Sequence, residues 1–223
     1  RGGWQSLLQD PQVRWFLALL LAVVGLLCWH LNTSGMPLGT AIRQSSFNAV
    51  SIISGTGYAS ANFSAWGGFA STLLLIAMFI GGCGGSTTCG IKVFRLQVLA
   101  TTARVQISRL LRPHAVVLAY YNKRPVAPEV MDSVMGFFYL YILCFVLLAI
   151  LLGMMGLDFV TALSGAATSI SNVGPGLGNL IGANGNFANL PDAAKWVMAF
   201  GMLLGRLELF TVLVMLTPAF WSR

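Results

Sequence analysis

Four apolar runs, at residues 13–31, 66–82, 134–156 and 196–216, dominate the chain, and each is about as long as a bilayer-crossing helix, roughly 20 residues. They fall into pairs. Between the members of each pair lies a shorter stretch, 40–53 in the first and 158–170 in the second, too short and too rich in Ser, Thr and Gly to cross. These stretches read as re-entrant pore helices. The chain is therefore span, pore helix, loop, span, written twice, and the expected fold class is an all-α membrane protein of repeated span/pore-helix/span units. A composition of 57% hydrophobic and 9% charged residues, with mean hydropathy +0.79, excludes an ordinary soluble globular domain.

The repetition extends to the loops. Ser51-Ile52-Ile53-Ser54-Gly55-Thr56-Gly57-Tyr58 and Thr168-Ser169-Ile170-Ser171-Asn172-Val173-Gly174-Pro175 match at a fixed offset (174 − 57 = 117), with Ser51 facing Thr168, Ser54 facing Ser171 and Gly57 facing Gly174. Irregular, glycine-bearing backbone at membrane depth leaves carbonyls unpaired, which is tolerated only where protein or a water-filled cavity surrounds them. Rings of such carbonyls can replace the hydration shell of a cation. The helix ending near Ile53 points its partially negative end at the loop, which favours a cation there. Gly57 and Gly174 can turn successive carbonyls inward, a geometry denied to a residue with a side chain. Neither loop carries an acid, so a weakly hydrated monovalent ion suits it better than calcium or magnesium. The filter candidates, acting through backbone carbonyls, are Ser54, Gly55, Thr56, Gly57, Ser171, Asn172, Val173 and Gly174. The plainer alternative is a tight turn with no ion role.

Net charge is +7, and seven basic residues, Lys92, Arg95, Arg104, Arg109, Arg112, Lys123 and Arg124, lie in one connection between spans. The positive-inside rule makes that connection cytoplasmic, brings both pore loops in from outside and puts both termini inside. The basic surface is either solvated and lipid-facing or a docking site for a cytosolic partner, not a nucleic-acid site. The expected division is 1–95 for the first repeat, 96–133 for the connection and 134–223 for the second repeat. Cys28, Cys83, Cys89 and Cys144 have no paired spacing and read as reduced packing residues, and His30 and His114 form no haem or zinc constellation. The chain opens on Arg1, and two loops supply half of a four-sided ring, so either further units precede it or copies assemble.

Two features lie beyond the loops. Residues 81–90 hold Gly81, Gly82, Gly84, Gly85, Ser86, Thr87 and Thr88 where a span should still be inside the bilayer. Glycines at about 1 kcal/mol each against Ala make a continuous helix there improbable, the alternative being a small-residue helix contact. Aligning the second spans (202 − 78 = 124) places Arg206 at the depth of Gly82. An intramembrane guanidinium marks function by default. Its acceptors are free carbonyls of the Gly-rich stretch, with snorkelling or a pair with Glu208 as alternatives.

The loops 54–58 and 172–178, with the run 81–88, resemble the Trk/Ktr/HKT superfamily, most nearly its TrkH-type branch, over nearly the whole chain. That resemblance identifies the units as the third and fourth of four repeats of the potassium-channel-like type. It implies potassium (K+) translocation across the bacterial inner membrane, with K+ as the permeant ion and no organic cofactor. The filter would take one key glycine from each repeat, Gly57 and Gly174 here. The 81–88 loop and Arg206 would form a gate below it. It further implies a homodimer with a pore in each protomer and a cytosolic nucleotide-binding TrkA-type regulatory ring. No enzymatic chemistry is expected. Thr56-Gly57-Tyr58 stays near the Thr-Val-Gly-Tyr-Gly filter signature of tetrameric channels, whereas Asn172-Val173-Gly174-Pro175 departs further. The alternatives are a potassium-binding subunit of a Kdp-like ATP-driven pump and a non-transporting assembly protein.

Overall fold

The computed structural model describes residues 9–112, 118–122, 124–207, 209–215 and 217–221. His114, Lys123 and Glu208 lie outside them. The architecture is helical: α1 (Pro11–Thr33), α2 (Leu38–Ile53), a 3-10 turn (Phe63–Trp66), α3 (Gly68–Phe79) and α4 (Val93–Leu111) lead to a short ladder of β1 (Tyr120–Tyr121) and β2 (Arg124–Pro125). After it come α5 (Pro128–Met154), α6 (Phe159–Ser171), α7 (Gly178–Ile181), α8 (Asp192–Arg206), α9 (Leu209–Met215) and α10 (Pro218–Trp221).

Both pore helices fall within two residues of their expected bounds. Asp158 caps α6 by accepting the Thr161 N–H at 3.2 Å, and Asp10 caps α1 by accepting the Gln12 N–H at 2.8 Å. The spans need correction. Among the described residues only α1 and α5 are long and apolar enough to cross by themselves. The second member of the first pair is broken: α3 has 12 residues, about 18 Å at 1.5 Å per residue, against a hydrocarbon core of about 30 Å. Residues 80–92 then leave the helix, and the chain resumes as α4, which runs across position 95. The second member of the second pair ends as α8 at Arg206 and restarts as α9.

The helix α6 is enclosed by α3, α5 and α8, and ten of its 13 residues are buried. Lipid tails are as apolar as Leu, so close packing rather than water exclusion must hold these helices together, and small residues supply it. A Cβ at Gly205 of α8 would collide with the Ile170 carbonyl oxygen, and one at Gly201 would lie 3.0 Å from Leu148 Cδ1 and 3.1 Å from Ser169 Cβ. The two repeats share one interior, since Ala167 and Val173 of the second pack with Leu27, Ile53, Leu74 and Met78 of the first. By contrast α2 leaves Leu38, Ile42, Phe47 and Val50 exposed.

Gly205→Val, which drives a side chain into backbone, is expected to destabilise the intact protein in detergent by about 1 to 3 kcal/mol. Gly25→Val, at an exposed site with no atom within 4 Å of the added Cβ, should leave the melting temperature unchanged. Equal melting curves for the two would mean that α8 does not depend on this contact.

Candidate functional site

The two loops leave their helices by the same sequence of backbone moves. Gly55 takes φ 70° and Asn172, at the equivalent position, φ 51°, so each helix ends on a left-handed residue. The Gly55 N–H then donates to the Ile52 carbonyl at 3.2 Å, as Asn172 does to Ser169 at 3.2 Å. The Thr56 N–H donates to the Ser51 carbonyl at 2.9 Å, as Val173 does to Thr168 at 3.1 Å. A third N–H follows: Gly57 donates to the Ser51 carbonyl at 3.3 Å, and Gly174 to the Thr168 hydroxyl at 2.9 Å.

Each of these bonds aims a carbonyl. In a planar trans peptide the N–H and the preceding C=O point in opposite directions. Three N–H groups turned back onto the helix end therefore turn three carbonyls away from it: Ser54, Gly55 and Thr56 in the first loop, Ser171, Asn172 and Val173 in the second. Among the described residues, nothing donates a hydrogen bond to any of these six oxygens, or to those of Gly57 and Gly174.

The two loops also touch. Gly57, at φ 81°, lies so close to its counterpart that a Cβ there would collide with the Val173 carbonyl oxygen, and one at Gly174, at φ 120°, would lie 3.3 Å from Gly57 Cα. Both positions require glycine for angle and for space. The structure thus brings all eight filter candidates into one region. Behind them, Tyr141 and Ser171 share a buried hydroxyl–hydroxyl bond of 2.7 Å, and the Asn172 side-chain amide donates to the Met202 carbonyl at 2.9 Å, tying the second loop to α8.

The Gly-rich candidates divide into a neck and a tip. At the neck, Gly81 N–H donates to the Ile91 carbonyl and Ile91 N–H to the Phe79 carbonyl, both at 2.9 Å, closing residues 80–92 into a loop. A Cβ at Gly81 would lie 2.5 Å from the Cys89 carbonyl oxygen, and one at Gly82 2.8 Å from Ser86 Oγ. At the tip, Gly84 N–H donates to the Gln12 side chain of α1 at 2.7 Å, and Gly85 takes φ 84°. Thr88 reaches the first loop, its Cγ2 lying 3.7 Å from where a Cβ on Gly55 would sit.

Arg206 meets this loop from α8. Its Nη1 donates to the Thr87 carbonyl at 2.7 Å and to Cys89 Sγ at 3.5 Å. Loop and arginine border a cavity of about 200 Å³ whose lining also includes Lys92, Arg95, Phe137 and Tyr141, with no carboxylate among the described residues. The Arg95 guanidinium lies 3.7 Å from the centre of the Phe137 ring. Sequence reasoning placed Lys92 and Arg95 on a cytoplasmic surface and missed this cavity. The signal available was their position immediately after the Gly-rich run.

Comparison with known proteins matches the chain to one family. Residues 4–223 match TrkH, described as a cation transport protein. The chain is 48% identical over 224 residues to the Trk system potassium uptake protein TrkI of Halomonas elongata, covering 100% of this chain and 45% of that protein. It is 35% identical over 216 residues to the Trk system potassium uptake protein TrkH of Escherichia coli K12, covering 96% and 44% respectively. The crystal structure of the potassium transporter TrkH from Vibrio parahaemolyticus superposes with a TM-score of 0.89 at 36% identity, over 98% of this chain and 46% of that one. The chain spans about half the length of these relatives. With the match running through both repeats, the chain belongs to the TrkH family, a family of cation transport proteins rather than enzymes.

Proposed function

We propose that the chain forms two walls of a potassium pathway across the bacterial inner membrane. One observation carries the reading: two rows of carbonyls at equivalent positions, aimed away from their helices, free of donors and brought side by side where Gly57 meets Gly174. Neutral carbonyl dipoles suit a weakly hydrated monovalent cation, and the helix ends behind them add negative potential. The relatives' names as potassium uptake proteins support potassium as that ion. Two loops make part of a ring, and the exposed face of α2 is where further pore elements would complete it. Both chain ends are cytoplasmic in this reading. A homodimer with one pore per protomer, under a cytosolic TrkA-type nucleotide-binding ring, follows from the family resemblance.

The loop 80–92 and Arg206 act as the gate in this proposal. Thr88 lies against Gly55, and the arginine holds the loop through Thr87. A fixed positive charge beneath a cation filter opposes permeation as long as the loop keeps it there.

Gly57→Ser and Gly174→Ser in the intact protein should each lower potassium preference over sodium about tenfold or more, since each puts a Cβ against the opposite loop. Liposome flux with competing potassium, rubidium, sodium and lithium measures it. Unchanged preference in correctly folded protein at both positions would sink the filter reading. Arg206→Ala should raise basal potassium flux about tenfold or more, the scale of one charge-assisted hydrogen bond at about 1.5 to 3 kcal/mol. Shortening the loop within 84–88 should raise it similarly, with little added by combining the two, because both remove one barrier. Additive effects would separate Arg206 from the loop, and reduced flux would make it a structural arginine.

A further inference from the structure

Ser51 and Thr168 occupy equivalent positions on the two pore helices (168 − 51 = 117), and both are buried, at 5% and 0% exposure. Their hydroxyls bond to the loops with opposite polarity. Ser51 Oγ donates to the Tyr58 carbonyl at 2.6 Å, whereas Thr168 Oγ1 accepts the Gly174 N–H at 2.9 Å. About one turn further back, each helix holds its loop a second time, at equivalent loop residues (177 − 60 = 117) but from helix positions one residue out of step (164 − 48 = 116). The Asn48 side chain donates to Ser60 Oγ at 3.0 Å and accepts the Ser60 N–H at 3.1 Å, and Ser164 Oγ accepts the Leu177 N–H at 2.9 Å. Asn48 and Ser164 are buried too, at 0% and 1% exposure. These two hold the loop bases and leave the carbonyl rows to residues 51 and 168.

The difference in polarity has chemical consequences. In the second loop the third carbonyl, that of Val173, points away from the helix because its peptide N–H is held by a side chain, Thr168. The corresponding N–H in the first loop goes to main chain, the Ser51 carbonyl. The Ser51 hydroxyl acts elsewhere: it turns the Tyr58 carbonyl back towards the helix and occupies it, so the first row of free carbonyls ends at Gly57.

We propose that Ser51 and Thr168 are positioning residues that set ion discrimination from behind the filter, Thr168 by aiming the Val173 carbonyl and Ser51 by withholding the Tyr58 carbonyl. The inference rests on the filter reading above. Neither residue touches the ion. Each determines which oxygens reach it, so the two loops contribute unequal ligand sets despite a shared backbone course.

The test uses the intact protein in liposomes with Thr168→Val, Thr168→Ser and Ser51→Ala. Thr168→Val keeps the shape and removes the acceptor, and it should lower potassium-over-sodium discrimination about tenfold, the size of one lost hydrogen bond, with potassium flux retained. Thr168→Ser restores the acceptor and should keep the parent ratio, which a merely space-filling threonine would not predict. Ser51→Ala frees an additional carbonyl and should lower the half-saturating potassium concentration about threefold with discrimination kept. Unchanged discrimination in folded Thr168→Val protein, or equal losses in the Val and Ser variants, would overturn the proposal. Should Thr168→Val fail to fold, an unchanged half-saturating concentration in Ser51→Ala overturns it. If Gly57→Ser and Gly174→Ser also leave discrimination intact, the filter reading itself has failed. If they abolish it while Thr168→Val does not, only this inference falls.

Discussion

The contact of Gly57 with Gly174 is the constraint on which the rest of the structure depends. It joins main chain to main chain, and no side chain fits between the loops. To bring the two tips together, α2 and α6 must both end at that level, and each ends on a left-handed residue that turns the chain away. Holding α6 there requires it to be enclosed, and enclosure by three helices requires a surface of Ala, Gly, Ser and Thr. Gly201 and Gly205 let α8 approach until its backbone meets the end of α6, which also brings Arg206 to the level of the Gly-rich loop. The paired loops and the arginine thus share one packing solution.

The loops reconcile two opposing demands. Backbone polar groups at membrane depth must be paired, yet the filter reading requires free carbonyls. Along residues 54–57 and 171–174 the chain meets both by pairing N–H groups and leaving the carbonyls free. Donors are turned onto the helix ends, whose carbonyls lack intrahelical partners, and peptide planarity points the acceptors the other way. The hydroxyls around the loops follow from the same need, Ser51 and Thr168 on the helix side and Ser54 with Thr56 as a pair bonded at 2.7 Å.

Much of this was legible in the sequence because the unit is repeated. A common offset identifies Gly57 with Gly174 without coordinates, and hydropathy locates α1, α2, α5 and α6. The broken span was legible too, since the glycines of 81–90 argue against a continuous helix, and the structure forms a loop there rather than the alternative helix contact. What escaped was the resumption at Val93. Its helix carries Arg95, Arg104 and Arg109, charges that read as a connection, and its apolar periodicity is interrupted by Thr101 and Thr102. The left-handed match of Gly55 with Asn172 also escaped, because the two residue types share a tolerance for positive φ rather than any chemical likeness. Hydrogen-bond polarity at Ser51 and Thr168 lies beyond sequence altogether. A hydroxyl donates and accepts equally well, and only the orientation of the facing peptide decides which.

The Gly-rich loop has two neighbours that bear on one another. Thr88 packs beneath Gly55, while Thr87, one residue earlier, accepts from Arg206. Adjacent residues of one short segment therefore touch the proposed filter and the proposed gate, so neither can shift far without the other. The neck strengthens this link: the Gly81–Ile91 and Ile91–Phe79 bonds hold the loop's two ends together, and Gly82 leaves room for Ser86 and Thr88 to fold inward. A loop fastened at its neck and tethered at its tip to Gln12 moves most easily by pivoting between those anchors, and that motion would carry Thr87 and Thr88 together. Under the proposed gate, the cations lining the adjoining cavity would form a barrier whose height depends on loop position, with no rearrangement needed in the helices that hold the carbonyl rows in register.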